Sequence, residues 1–159
     1  MRTVIALTAL LCAACTTTAA EVPAGTVIVG GANDDGTGFV DWHTSTVGPP
    51  IVMGPQGGQH IWVSVRTGRN FNASKMRLLI DMTDLDTGDV VKPGQIPFTR
   101  TLTDSGTELQ ITGITAYVKE PCKIKGHHVR IHVGVEDLVG LPGSDEAIII
   151  PTWSGFCGT

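Results

Sequence analysis

The chain has 159 residues, 42% of them hydrophobic and 16% charged, with 20 Gly and 9 Pro. This composition fits one globular domain and excludes a long disordered tail or a coiled coil. A net charge of -4 at neutral pH opposes the approach of phosphate backbones, so nucleic acid is not an expected partner.

The first residues read as an export signal. Arg2 supplies one positive charge and the run from Thr3 to Ala14 carries none. That is the length of a signal-peptide core, and too short for a bilayer helix, which needs roughly 20 apolar residues. Leu11-Cys12-Ala13-Ala14-Cys15 resembles the bacterial lipobox, with Cys12 where that pattern usually has Leu. The resemblance implies lipidation of Cys15 and an outer-membrane lipoprotein held to the membrane by its N-terminal lipid only. Ordinary cleavage after Thr18-Ala19-Ala20 is the alternative and gives a secreted or periplasmic protein. Residues 1–20 are therefore assigned to the signal and the start of a tether, and residues 21–159 to a single domain. Loss of residues 1–20 leaves 10 of the 11 basic residues against 15 acidic ones, a net charge of -5.

Beyond the tether the sequence is punctuated as an all-β protein. Apolar and β-branched runs fall at Thr26 to Val29, Phe39 to Trp42, Ile51 to Met53, Gln59 to Arg66, Met76 to Thr83, Ile96 to Leu102, Leu109 to Val118, Val129 to Val135 and Ala147 to Ile150. Turn chemistry separates them at residues 54–58, Thr87-Gly88, Ser105-Gly106 and Pro142-Gly143. No segment holds a helical period for three turns. Short strands with one-sided alternation predict two packed antiparallel sheets, an immunoglobulin-like or fibronectin-like sandwich.

Period-two phasing assigns the faces. Ile61, Val63 and Val65 form a buried row, as do Met76, Leu78, Ile80 and Met82, and Val129, Ile131, Val133 and Val135. Leu109 and Ile111 change phase to Ile114, Ala116 and Val118 across Gly113, which predicts a bulge there. The opposite face of the fourth run carries His60, Trp62, Ser64 and Arg66. This polar face with one large aromatic is the expected ligand contact, suited to a glycan or to a protein partner.

Gly54-Pro-Gln-Gly-Gly-Gln-His60, followed by a strand ending at Arg66, resembles a motif of uncharacterised small exported lipoproteins of Gram-negative bacteria. The resemblance extends from about Gly36 to Glu146, through the alternating pattern at Gly126 to Asp137. It implies export and an envelope location but no activity.

Cys122 and Cys157 remain once the signal cysteines are set aside, and in an oxidising compartment they predict a disulfide. No catalytic motif is present, so a non-catalytic binding or structural module is expected, with no cofactor. A copper or zinc protein is the alternative, and it needs three of His43, His60, His127, His128 and His132 to converge. His60, His128 and His132 are the named ligands for that reading. His128 and His132 lie about 13 Å apart along one strand, with Arg130 between, so they cannot share one ion. His60 must then sit beside one of them, although a sandwich places their strands in different sheets; His127, on the inward phase, reads as a loop-edge or satisfied core residue. Asp81, Asp84, Asp86 and Asp89, and the turn Asn33-Asp34-Asp35-Gly36, offer oxygen ligands for calcium, or are solvated turns.

Overall fold

The computed structural model describes residues 22–72, 74–92 and 98–158; the expected export signal and the expected lipidation at Cys15 lie outside the described residues. In chain order the strands are β1 (Val27–Gly31), β2 (Val40–Asp41), β3 (Val52–Met53), β4 (Gln59–Thr67), β5 (Met76–Asp84), β6 (Val90–Lys92), β7 (Phe98–Arg100), β8 (Thr103–Asp104) and β9 (Leu109–Tyr117). A one-turn helix α1 (Pro121–Ile124) precedes β10 (Val129–Asp137) and β11 (Pro142–Ile149).

Two antiparallel sheets result. Sheet one runs β2-β1-β4-β9-β8, with β3 paired to β4; sheet two runs β11-β10-β5-β6, with β7 paired to β5. Taking β1, β4, β9 and β8 as A, B, E and D, and β5, β10 and β11 as C, F and G, the strand order is that of an immunoglobulin sandwich. The alternating residues dictate it: each long strand has one apolar face, and two such faces are removed from water only by stacking sheets. Val29, Ile61, Val63 and Val65 from sheet one meet Leu78, Ile80, Met82, Ile131 and Val133 from sheet two, all essentially buried. Each such side chain contributes about 1.5–3 kcal/mol relative to exposure.

The bulge forms where the phase changes. Val63 pairs with Ile114 and Val65 with Ile111, so β9 carries an extra residue, and Gly113 takes a φ of 68° that favours glycine. Elsewhere the strands depart from expectation. Pro142-Gly143 is no turn but the start of β11, with Val135 opposite Gly143. A Cβ on Gly143 would stand 2.6 Å from Val27 Cγ2 and 3.0 Å from Phe71 Cζ, so this glycine admits neighbouring side chains. The actual turn follows Asp137, whose Oδ1 accepts from the Val139 and Leu141 amides and whose Oδ2 accepts from Asn72 N. Of the run expected at Ile96 to Leu102, Phe98–Arg100 is strand, and residues 93–97 lie outside the described ones. Cys122 of α1 and Cys157 of the C-terminal segment form a disulfide, their Cα atoms 5.7 Å apart.

Candidate functional site

The outer face of sheet one is where the expected contact residues sit, and the β1–β2 connection lies over part of it. That connection is tied to itself: Asn33 N donates to Thr37 O at 2.8 Å, and the Asp35 carboxylate accepts from both Thr37 N and Thr37 Oγ1. It is also tied to the sheet. Trp62 Nε1 donates to Asp34 O at 3.3 Å, and a Cβ on Gly36 would stand only 3.3 Å from the indole.

This cover divides the four residues expected to act together. Ser64 is fully buried, and its Oγ accepts from the bulge amide Gly113 N at 3.3 Å. Arg66 lies with its guanidinium 4.0 Å over the Phe39 ring and its Nε 2.7 Å from Glu108 Oε1. Ser64 is thereby closed to solvent, while Arg66, its side chain 34% exposed, is drawn to Phe39 of the cover and to Glu108. Alternation correctly gave their side of the strand; it carries no information about what crosses above it.

His60, itself buried, and Trp62, whose indole the same connection touches on one side, line a groove of about 450 Å³. The register places His60 opposite Tyr117 and Trp62 opposite Thr115, so an aromatic from β9 stands beside those of β4. The floor is the β3–β4 turn, closed by Gly54 N to Gly58 O at 2.8 Å and Gly57 N to Gly54 O at 2.9 Å, with Gly57 at a φ of 80°. Tyr117 and Met53 are 53% and 62% exposed, which leaves a polarizable, apolar rim reachable from solvent. The His60 and Trp62 rings meet edge-on with centroids 4.2 Å apart.

The groove is close to neutral. Among the described residues lining it, Asp34 is the one carboxylate and there is no Lys or Arg. Burial pushes the His60 imidazole below its ordinary value of 6.5, against an opposing hydrogen bond with the Gly58 backbone, so the ring is uncharged at neutral pH. Its Nε2 is buried with no hydrogen-bond partner among the described residues. Aromatic faces, a soft apolar rim and glycine-rich backbone suit a ligand with an apolar face and neutral polar groups. They do not supply the donors that a phosphate or carboxylate requires.

The three named histidines do not come together. His60 is on β4 of sheet one, whereas His132 is on β10 of sheet two and His128 just before it. His132 Nδ1 is 2.9 Å from Asp81 Oδ2 and His128 Nδ1 is 3.1 Å from Asp86 Oδ1. The reason is the one sandwich topology imposes: strands B and F belong to opposite sheets, and their outer faces point apart. The four aspartates of the β5 end also divide, because Asp81 turns to His132 while Asp84 and Asp86 face the segment before β10. His127 joins that pair, with Nδ1 2.8 Å from Asp84 Oδ2. Its part was missed in the sequence because the two segments are 43 residues apart and only the β5–β10 register brings them together.

Comparison with protein-family profiles, with characterised proteins and with solved structures finds no match to this chain.

Proposed function

We propose that this protein is a non-catalytic, exported module of the cell envelope, tethered through lipidated Cys15, that binds a neutral glycan in the groove of sheet one. The observation that carries the reading is the groove itself: Trp62, Tyr117 and Met53 around a glycine-rich turn, with no basic side chain among the described lining residues. Pyranose rings offer flat C–H faces to such aromatics, and their hydroxyls suit the backbone groups of residues 54–58. Export and tethering are supported by the apolar N-terminal run and the lipobox-like sequence before Cys15.

Calorimetric titration of the signal-cleaved protein with N-acetylhexosamine oligosaccharides, the neutral sugars of cell-wall glycan, tests the binding claim. Tyr117 is exposed, so Tyr117→Ala leaves the core intact; loss of one aromatic contact weakens binding roughly 2- to 10-fold. An affinity unchanged in that variant rejects the groove as the site. Palmitate labelling that vanishes in Cys15→Ser supports the tether, and an unlabelled wild-type protein recovered from the periplasm removes it.

A further inference from the structure

A second site, independent of the groove, lies at the opposite sheet where β5 ends. Asp84 closes β5, Asp86 follows in the turn, and His127 and His128 immediately precede β10. The register that sets Val129 opposite Asp84, together with Leu85 N donating to His128 O at 2.8 Å, draws these two chain segments together. We propose that Asp84, Asp86 and His127 form a binding site for a zinc-class divalent cation.

The three side chains offer ligand atoms that all lie within 4.8 Å of one another. His127 Nδ1 is already 2.8 Å from Asp84 Oδ2. Bonds of about 2.0–2.1 Å to a tetrahedral ion place donors about 3.3 Å apart, so small rotations of Asp86, which is 41% exposed, close the set. Both Asp86 oxygens lie against His128, one 3.0 Å from its N and the other 3.1 Å from its Nδ1, so a ligand bond uses a remaining lone pair of either oxygen. Such an outer partner fixes the orientation of a ligating carboxylate.

Charge and access favour the same reading. The Asp84 side chain is 2% exposed, and a buried carboxylate next to a second one is stabilised by a dication that balances both. An ion reaches the set from the side of His127 and Asp86, whose side chains are 36% and 41% exposed; a cleft of about 210 Å³ touches Asp84 but neither other ligand. Of the charged groups around that cleft, Asp89 and Glu120 are offset by Lys119 and Lys123, with Lys123 held 2.9 Å from Glu120. The other His–Asp contacts are different in kind: His132–Asp81 and His43–Asp145 are single pairs, and among the described residues this is the one place where two carboxylates and an imidazole converge. One imidazole with two carboxylates suits a borderline first-row ion, whereas calcium takes six to eight oxygens.

The test is equilibrium binding of Zn²⁺ alone to the chelator-stripped, signal-cleaved protein, followed by Mn²⁺ and Ca²⁺. Saturable equimolar Zn²⁺ binding is expected, weakened on the order of tenfold or more in both His127→Gln and Asp86→Asn, and unchanged in His132→Gln and His60→Gln. Because His127 also braces Asp84, the imidazole nitrogen resonances of the wild-type protein provide a second readout: zinc must move His127 Nδ1 and leave His132 in place. Absence of equimolar binding, or binding that survives both ligand substitutions, overturns the site. Calcium binding more tightly than zinc overturns the assignment of the ion.

Discussion

Gly113→Ala tests whether the cover over β4 is held by the bulge. Gly113 has a φ of 68°, a conformation that costs a residue bearing a Cβ about 1–2 kcal/mol. The new Cβ would also stand 2.4 Å from Gly36 O, with the Gly36 backbone behind it, and forcing bulk into such a contact costs about 1–3 kcal/mol more. Gly140→Ala separates the two contributions, because Gly140 has a φ of 83° but nothing within 4 Å of its absent Cβ. Thermal unfolding followed by circular dichroism should then show losses of about 2–5 kcal/mol for Gly113→Ala and about 1–2 kcal/mol for Gly140→Ala, or roughly 6–15 °C and 3–6 °C in Tm. Displacement of the segment around Gly36 also uncovers Trp62, so tryptophan emission should shift to the red in the first variant only. Equal Tm losses for both variants, with unchanged emission, refute the close approach of bulge and cover.

Replacing Cys122 and Cys157 by Ser together removes a link spanning 35 residues and should lower stability by about 3–4 kcal/mol in urea unfolding; a loss under about 1 kcal/mol would mean that the C-terminal segment is held by other contacts. Gly143→Ala should cost about 1–3 kcal/mol by overpacking against Val27 and Phe71, whereas an unaffected urea midpoint would return Pro142-Gly143 to a surface turn. The Asp137 carboxyl is opposed by burial, but the backbone amides of Leu141, Asn72, Val139 and Gly140 outweigh it and hold the group below its ordinary value of 3.8. A depressed carboxyl contributes stability that is present above its unfolded value and is lost as pH falls through the folded one. Urea midpoints should therefore fall more steeply below about pH 4 in the wild type than in Asp137→Asn; parallel pH profiles would contradict this.

How much was legible in the sequence divides along a physical line. The fold was, because alternation in β4, β5 and β10 reports burial within each strand and needs no knowledge of what lies beyond it. The Gly113 bulge was legible for the same reason, since a phase change is a local fact. Contacts between distant segments were not. Ser64 and Arg66 were placed on their correct side of β4, yet the chain that covers them comes from the β1–β2 connection. His127 looked like a loop residue until the β5–β10 register set it against Asp84. Gly143 looked like a turn because glycine beside proline is turn chemistry, and nothing local revealed that Val27 and Phe71 occupy the space its side chain would fill.

The proposed glycan site is the groove beside the glycine-rich turn. Amide chemical-shift mapping of the ¹⁵N-labelled protein lacking residues 1–20, during titration with N-acetylhexosamine oligosaccharides, addresses it residue by residue. The Trp62 indole, Gly54, Gly57, Gly58 and Tyr117 are expected to shift together and saturably, while His132 on β10 and His128 just before it stay still. Shifts confined to sheet two, or none at saturating sugar, would contradict it.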